Sequence, residues 1–311
     1  MKTLFGDVPV FDAHAHFFSY RFFQGLLEPI KARFGGQDPY GSMGKELNLE
    51  LPEADPAKLA ARWVAEMDRH GVDRMVLMAS AVADEESIAA AVKAFPDRIA
   101  GYFMLDPTKP DAAVRARHAV LQLGLRGIAL FPAMHHFSAA DERAWPIYHA
   151  AAERNAVVFV HFGLLKIAIR DRLGLPSKFD MRFSNPLDLH KAAKEFPNVN
   201  FQVPHFGCGF FREVLMLGDL CGNVHLDTSS SNAWVKLMPH PLTVRDLFEK
   251  SLAVFGPSRL LFGTDSTVFP RGWRADVFRE QTQILSDLKV SPADAAAILG
   301  GNLARLLARK D

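Results

Sequence analysis

The chain has 311 residues, of which 49% are hydrophobic, and its formal net charge at pH 7 is +1. The apolar content excludes a disordered chain, and the balanced charge argues against a basic nucleic-acid-binding face. Two cysteines, Cys208 and Cys221, are too few for a disulfide framework. No apolar run reaches the ~18 residues of a membrane span, and the first residues lack a secretory signal. We therefore expect a cytoplasmic protein with no nucleic-acid or membrane partner.

Eight short apolar runs recur along the chain, each followed by a turn and then by a stretch with helical periodicity. Most runs are apolar at consecutive positions, which is typical of parallel strands buried on both faces. The predicted strands are residues 8–13, 74–79, 98–105, 125–131, 156–162, 199–204, 224–228 and 260–264. The predicted helices are residues 55–71, 84–95, 111–123, 141–155, 186–196, 211–220, 243–255, 275–288 and 291–308.

Alternation of eight strands with helices predicts an α/β fold, a single (β/α)8 TIM barrel domain over residues 1–311. A doubly wound open sheet is the alternative. Residues 17–52, after the first strand, are too long for an ordinary connection and are rich in Phe, Gly and Pro. Long loops of this kind are often functional, so we expect a lid-like insertion there, with an oligomer contact as the alternative.

Ionisable side chains stand at the ends of four predicted strands, where a barrel places its active site. They are Asp12, His14 and His16 on the first strand, His161 on the fifth, His205 on the sixth and Asp265 on the eighth. Side chains alternate faces along a strand, which predicts that Asp12, His14 and His16 share one face. Buried imidazole and carboxylate groups need a partner or a cation, and these donors suit a zinc-type ion. The pattern therefore predicts a metal site, with hydrogen-bonded structural histidines as the alternative.

The same residues, together with GTDS at 263–266 and ILGGNLARLL at 298–307, resemble the amidohydrolase superfamily. The closer likeness is to the amidohydrolase-related family, which includes aminocarboxymuconate semialdehyde decarboxylase, and it extends over the whole chain. The resemblance implies a metal-dependent TIM barrel enzyme that acts on a small-molecule substrate. Relatives often form dimers, so a homodimer is an expectation from the resemblance.

The resemblance also implies roles for individual positions. The implied metal ligands are His14, His16, His161 and Asp265. Asp265 is also the implied proton carrier, His205 is implied to hold and polarise a water, and Asp12 is implied to orient a ligand imidazole. Binuclear relatives carry a bridging lysine where this chain has Ala129, which implies one ion. Zn²⁺ is expected, with Mn²⁺ or Fe²⁺ as alternatives, because these donors suit several ions.

Two further residues follow the eighth strand closely. Arg271 and Trp273 lie six and eight positions after Asp265, where they are expected to bind an acidic or aromatic substrate. A solvated loop is the alternative for this pair. On the seventh strand, Asp227 is expected to face the barrel interior or to make a structural hydrogen bond.

Three functions remain open from the sequence. The leading hypothesis is hydrolysis of an amide, lactone or related carboxyl derivative by activated water, with Asp265 moving the proton. The second is non-oxidative decarboxylation of a cyclic or unsaturated carboxylate by the same site. The third is a catalytically inactive barrel that binds a metal or a ligand.

Overall fold

Eight parallel strands pair in sequence order in the computed structural model, which describes residues 1–230 and 232–308. The strands β1 to β8 are Phe11–Phe17, Arg74–Ala79, Ile99–Met104, Gly127–Leu130, Val157–Val160, Phe201–Val203, Val224–Asp227 and Leu260–Leu261. Every predicted run thus contains a strand, although β1 lies a few residues later than predicted. The sequential order excludes the doubly wound sheet, in which the order reverses at a switch point.

Hydrogen bonds between β1 and the residues after β8 close the sheet into a barrel. The backbone nitrogen of Ala13 donates to the carbonyl of Phe262 at 2.8 Å, and that of His16 donates to the carbonyl of Ser266 at 2.7 Å. Ala15 and Ser266 form a parallel bridge between these hydrogen bonds. The predicted TIM barrel is therefore confirmed.

Helices connect the strands and surround the barrel. Helices α1 to α14 are Tyr20–Leu27, Pro39–Leu47, Pro56–His70, Glu85–Ala94, Ala112–Leu121, Pro132–His135, Trp145–Glu153, Ala168–Arg172, Leu189–Glu195, Phe211–Leu220, Val244–Phe255, Ala275–Asp287, Pro292–Ala296 and Asn302–Leu307. Helix α3 shows why they form: Asp55 caps its first turn, Pro56 occupies that turn, and the left-handed Gly71 ends it. Over residues 1–230 and 232–308, every helix is too short or too polar to cross a bilayer.

Alternate residues of each strand fill two apolar layers. The barrel interior contains Val76, Met78, Ala100, Tyr102, Ala129 and Phe159. Their neighbours in the strands, such as Leu77 and Phe103, belong to the outer layer between the sheet and the helices. Because both faces of the sheet are buried, the strands contain consecutive apolar residues.

The C-terminal helix closes the end of the barrel at which the strands begin. Leu303, Leu306 and Leu307 of α14 pack against the interior layer. The Asn302 side chain donates to the carbonyls of Pro257 and Leu260, each at 2.8 Å. Side chains of the segment ILGGNLARLL therefore fill this end of the barrel. The active site must lie at the opposite end, where the strands finish.

Residues 17–52 form a small layer with its own apolar contacts. Helix α1, a 3-10 turn at Glu28–Arg33 and α2 bring together Phe22, Phe23, Leu26, Phe34 and Met43. Two residues from the loop after β5, Leu173 and Leu175, pack against this group. The segment is therefore folded against the barrel, and its closing motion as a lid stays a prediction.

Gly300→Ala is expected to lower the free energy of unfolding by about 1–3 kcal/mol, the usual cost of overpacking. An added Cβ would lie 2.5 Å from the carbonyl oxygen of Pro9 and 3.3 Å from the nitrogen of Phe11, both backbone atoms. The matched control is Gly301→Ala, whose Cβ would approach nothing closer than the Ala296 oxygen at 3.5 Å. Urea unfolding of both variants checks this prediction, and equal losses of stability would contradict it.

Candidate active site

Strand β1 carries three of the predicted site residues, but a bulge separates Asp12 from His14 and His16. The pairing of β1 with β2 changes register directly after Asp12. The Asp12 carboxylate accepts hydrogen bonds from the Thr264 hydroxyl at 2.5 Å and from the Trp273 indole at 2.8 Å. Trp273 belongs to the outer layer, so Asp12 faces outward. The prediction that Asp12 shares a face with His14 and His16 and orients an imidazole is wrong, because a bulge breaks the alternation of faces.

The structure brings His14, His16 and Asp265 together at the open end of the barrel. The backbone nitrogen of Asp265 donates to the His14 carbonyl at 2.8 Å, which fixes the loop after β8 beside β1. His16 Nε2 lies 3.1 Å and His14 Nε2 lies 3.8 Å from the same oxygen, Asp265 Oδ1. One ligand atom from each residue lies within 4.8 Å of the others.

The other ring nitrogen of each histidine is already bonded. His14 Nδ1 lies 2.8 Å from an oxygen of Asp227, which as a carboxylate only accepts. His16 Nδ1 lies 2.6 Å from the Ser80 hydroxyl, whose own proton goes to the Met78 carbonyl at 3.0 Å. In the neutral form of each ring, Nδ1 therefore carries the proton and Nε2 presents a lone pair. Two Nε2 lone pairs that face a carboxylate oxygen repel it and each other. A cation bound between these three groups would remove the repulsion, so the donor set fits a cation.

The charge state of Asp265 agrees with that fit. Burial alone would raise the pKa of this carboxyl, but hydrogen bonding and the charges of His16 and His14 hold it well below its usual range. Burial lowers the pKa of His16 despite its contact with Asp265. At neutral pH Asp265 is therefore a carboxylate and His16 favours its neutral form, and these are the forms that bind a divalent ion. For His14, burial is outweighed by the carboxylates of Asp227 and Asp265, which raise its pKa.

His161 and His205 lie beside this group. The ring centres of the two residues are 5.2 Å apart, and the His205 ring is 4.9 Å from that of His14. His161 Nδ1 is buried with no hydrogen-bond partner among the described residues. Burial and the neighbouring His205 hold the pKa of His161 well below its usual value. A neutral imidazole without a hydrogen-bond partner at this place can also serve as a ligand of a cation. His161 is nevertheless not one of the three residues whose ligand atoms lie within 4.8 Å of one another.

The backbone adopts uncommon conformations at the two predicted catalytic residues. His205 has a φ of 57° and Asp265 a φ of 56°, both in the left-handed region that favours glycine. Each such residue costs about 1–3 kcal/mol and persists only where its surroundings fix it. The tight turns after β6 and β8 therefore bring both side chains into the lining of one pocket.

A pocket of about 440 Å³ opens above these residues. His16, His161, His205 and Asp265 all line it, and most of its remaining surface is apolar. Two further lining residues, Phe18 and Phe22, stack with ring centres 4.1 Å apart and planes within 6°. Because both come from residues 17–52, that segment forms a wall of the pocket.

A protein-family model described as amidohydrolase matches residues 11–309. The chain belongs to the amidohydrolase family. The matched range contains every residue of the site above, and the membership confirms the resemblance seen in the sequence. No curated protein is similar enough to this chain to count as a match.

Solved structures share the fold of this amidohydrolase at low sequence identity. The 5-carboxyvanillate decarboxylase from Sphingomonas paucimobilis is 17% identical with a TM-score of 0.64, over 98% of this chain and 100% of that chain. The 5-carboxyvanillate decarboxylase from Novosphingobium aromaticivorans, complexed with manganese and 4-hydroxy-3-methoxy-5-nitrobenzoic acid, is 15% identical with a TM-score of 0.64, over 96% of each chain. A probable 2-pyrone-4,6-dicarboxylic acid hydrolase from Acinetobacter baumannii, with citric acid bound, is 14% identical with a TM-score of 0.60, over 96% of this chain and 99% of that chain.

The two residues expected to bind substrate lie in different places in this amidohydrolase. Arg271 lines the pocket at its exposed rim, where its guanidinium donates to the Thr267 hydroxyl. Trp273 is only 4% exposed, and among the described residues it is not part of the pocket wall. Its backbone nitrogen donates to Glu66 and its indole to Asp12. Trp273 therefore holds the loop that presents Arg271.

Sequence reasoning missed the residues that orient the histidines. Asp227 was expected to make a structural hydrogen bond, and it does so to His14, but nothing in the sequence named the partner. Ser80 and Ser229, which contact the Nδ1 atoms of the histidines, lie one residue after β2 and two residues after β7. The available signal was a polar residue just after a barrel strand, and it covers serine as well as histidine and aspartate.

Cys208 is expected to resist thiol reagents although it lines the pocket. Burial raises the pKa of its thiol to about 12, and the thiol donates to the Leu164 carbonyl at 3.1 Å. Since the thiolate is the reactive form, the reactive fraction at neutral pH should be about a thousandfold below that of a free cysteine with a pKa of about 8.5. Iodoacetamide labelling followed by mass spectrometry checks this, with unfolded protein as the control. Rapid labelling of the native chain would contradict it.

Proposed function

We propose that this amidohydrolase is a metal-dependent hydrolase of a small-molecule amide, lactone or related carboxyl derivative. The observation that carries the proposal is the partly buried Asp265 carboxylate, which lies 3.1 Å from His16 Nε2 in the pocket wall. An ionised carboxylate at this place can accept a proton from a water in the pocket and release it later. This is general acid–base work by a single group.

His14, His16, His161 and Asp265 are the residues that would hold the ion. The donor set of imidazoles and one carboxylate suits Zn²⁺ first, and Mn²⁺ or Fe²⁺ as alternatives. When bound, a divalent ion supplies a Lewis acid and lowers the pKa of water from 15.7 to about 7. The hydrogen bonds that His14 and His16 donate from Nδ1 to Asp227 and Ser80 hold the ligand nitrogens in place before any ion arrives.

The remaining groups position substrate and move the proton. Asp265 Oδ1 takes a proton from the attacking water and returns it to the leaving group. His205, in the pocket wall, stabilises the oxyanion that develops on the attacked carbon's oxygen. Phe18 and Phe22 cover the site and limit the entry of bulk water.

Charge at the rim points to an acidic substrate. Arg271 and Lys166 both line the pocket, and among the described residues no carboxylate lies within ion-pair distance of the Arg271 guanidinium. An unpaired guanidinium at the mouth of a largely apolar pocket attracts a carboxylate. We therefore expect an acid with a flat or apolar body.

Decarboxylation of a cyclic or unsaturated carboxylate is the second candidate, and Arg271 is the observation that favours it. A guanidinium at the rim would hold the carboxylate, while Asp265 takes a proton from a water in the pocket and passes it to the carbon that loses carbon dioxide. The hydroxide left behind combines with the released carbon dioxide as bicarbonate. Two solved structures with this fold are 5-carboxyvanillate decarboxylases. The two reactions differ in whether water enters the product.

An isotope experiment separates the candidates. Protein loaded with Zn²⁺ or Mn²⁺ is incubated with lactones, amides and cyclic carboxylates in ¹⁸O-water, and the products are analysed by mass spectrometry. Hydrolysis places ¹⁸O in the new carboxyl group. Carbon dioxide release without ¹⁸O in the remaining product rejects hydrolysis and supports the decarboxylase. Tight binding of the ion with no turnover of any class supports the inactive binding barrel.

Arg271→Gln is expected to raise KM for an acidic substrate by roughly tenfold, which corresponds to about 1.4 kcal/mol, while kcat changes little. The reason is that a charge-assisted hydrogen bond to the substrate is lost in the ground state and the transition state alike. The neutral amide or ester of the same substrate is the control, and its KM should not change. Equal losses for both substrates would place Arg271 outside substrate recognition.

Two predictions concern the protein's setting. We infer a homodimer from the family, and the cytoplasm as the compartment in which Cys208 and Cys221, both free here, stay reduced. Gel filtration with light scattering measures the first. Limited proteolysis of the same sample tests whether residues 17–52 are a lid or an oligomer contact. A dimer contact there would protect the segment from cleavage.

A further inference from the structure

We propose that Ser229 is a positioning residue that fixes His205 in the tautomer protonated at Nε2. In that form His205 offers the pocket an N–H donor instead of a ligand lone pair. The proposal rests on one shared hydroxyl between two imidazoles. The role of this N–H donor in catalysis rests on the proposed function. The assignment of the tautomer does not depend on that function.

Ser229 lies two residues after the end of β7 and is fully buried. Its Oγ is 3.0 Å from His14 Nδ1 and 3.0 Å from His205 Nδ1. Its backbone nitrogen donates to Asp227 Oδ1 at 2.7 Å, which holds the serine in place. A hydroxyl has one proton, so it can donate to only one of these two nitrogens.

His14 Nδ1 cannot receive that proton. It lies closer to the Asp227 carboxylate, at 2.8 Å, and a carboxylate only accepts, so His14 Nδ1 carries its own hydrogen. Asp227 is held further by the Gln202 side chain, which donates to the same oxygen at 2.9 Å. The Ser229 proton is therefore directed to His205 Nδ1.

A neutral imidazole that accepts at Nδ1 has its hydrogen on Nε2. The opposite arrangement, with His205 donating from Nδ1, would turn the Ser229 proton toward the Asp227 carboxylate. That carboxylate already accepts from His14, from Gln202 and from the Ser229 backbone at 2.7 to 2.9 Å, whereas the Ser229 hydroxyl lies 3.0 Å from His205 Nδ1. His205 lines the pocket while its Nδ1 faces Ser229, so Nε2–H faces the pocket.

Ser80 provides the contrasting case within the same site. Its proton goes to the Met78 carbonyl at 3.0 Å, so its oxygen accepts from His16 Nδ1 at 2.6 Å. His16 Nε2 is then a lone pair, suited to a cation. Two serines just beyond strand ends thus set opposite tautomers: His16 becomes a ligand, and His205 becomes a donor to the developing oxyanion of the substrate.

The tautomer is measured on the zinc-loaded wild-type chain by ¹⁵N-detected NMR of the histidine side chains. The His205 signals are assigned by their loss in His205→Gln. A protonated Nε2 and an unprotonated Nδ1 on His205 are the expected result. A protonated Nδ1 on His205 overturns the proposal, whatever the variants do.

Variants then connect the tautomer to Ser229. In Ser229→Ala we expect His205 to shift toward the form protonated at Nδ1, because this N–H can donate to the backbone carbonyl of residue 229, which lies 3.4 Å away. Turnover should fall by about 10- to 100-fold. Ser229→Thr, which keeps the hydroxyl, should restore both signals. Ser80→Ala is the matched control, because it should alter the His16 signals and leave those of His205 unchanged. An unchanged His205 tautomer in Ser229→Ala overturns the proposal.

The readouts also separate this proposal from the proposed function. If His205 carries its proton on Nε2 but no lactone, amide or cyclic carboxylate turns over, the assignment stands and the enzymatic function fails. If hydrolysis is found while His205 carries its proton on Nδ1, the function stands and the role of Ser229 fails. The zinc content of Ser229→Ala should equal that of the wild type. The serine contacts the Nδ1 atom of His14, whereas the predicted ligand atom of that residue is Nε2.

Discussion

Asp265→Asn is expected to lower turnover by about a hundred- to ten-thousandfold, the range for loss of a general acid–base group. The amide has the same shape, but it cannot accept a proton from water and it binds a cation more weakly. In the wild type His16 and His14 offset the effect of burial and hold the pKa of Asp265 well below its usual range. The proton acceptor is therefore always available at neutral pH. Steady-state kinetics on the substrate found in the isotope experiment provide the measurement.

The fold of this variant should be intact. Position 265 has a φ of 56°, and asparagine is among the few residues besides glycine that tolerate this region. The control for loss of one negative charge is Asp219→Asn, an exposed position on α10 that should keep full activity. Circular dichroism and metal content are measured for both variants. Turnover within tenfold of the wild type in Asp265→Asn would remove Asp265 from proton transfer.

The fold could be predicted because its strands are buried on both sides. Residues 75–79 and 156–160 are apolar at every position, and this pattern has few explanations besides a parallel sheet covered by helices. Polar residues then stand out where such runs end, which is how His161, His205 and Asp265 were found. Each is the first ionisable residue after an apolar run, and the structure places all three in the pocket wall.

The parts that failed depend on contacts that no local pattern contains. The bulge in β1 inserts one residue, so Asp12 turns outward to Trp273 while His14 turns inward. Trp273 was expected in the pocket because it follows β8 closely, yet the loop folds its ring into the outer layer. Asp227 and Ser229 reach His14 across more than 200 positions of sequence, a distance at which spacing carries no information.

Metal loading is expected to give about one divalent ion per chain and to stabilise the fold. An ion present at 100 times its Kd adds ~2.7 kcal/mol to the free energy of unfolding, so chelation should lower Tm by several degrees. In His16→Ala the chelator should have little further effect, because one of the three convergent donor atoms is gone. His118→Ala, an exposed histidine on α5, is the matched control and should keep the full chelator effect.

The stoichiometry follows from the interior of the barrel. Ala129 on β4 lies in the interior layer, where the resemblance to binuclear relatives would require a bridging lysine. A methyl group there offers no ligand atom for a second ion. Among residues 1–230 and 232–308, one group of three donors converges, and it contains the two histidines of β1 and the aspartate after β8. Two ions per chain in elemental analysis would contradict the prediction that Ala129 limits the site to one ion.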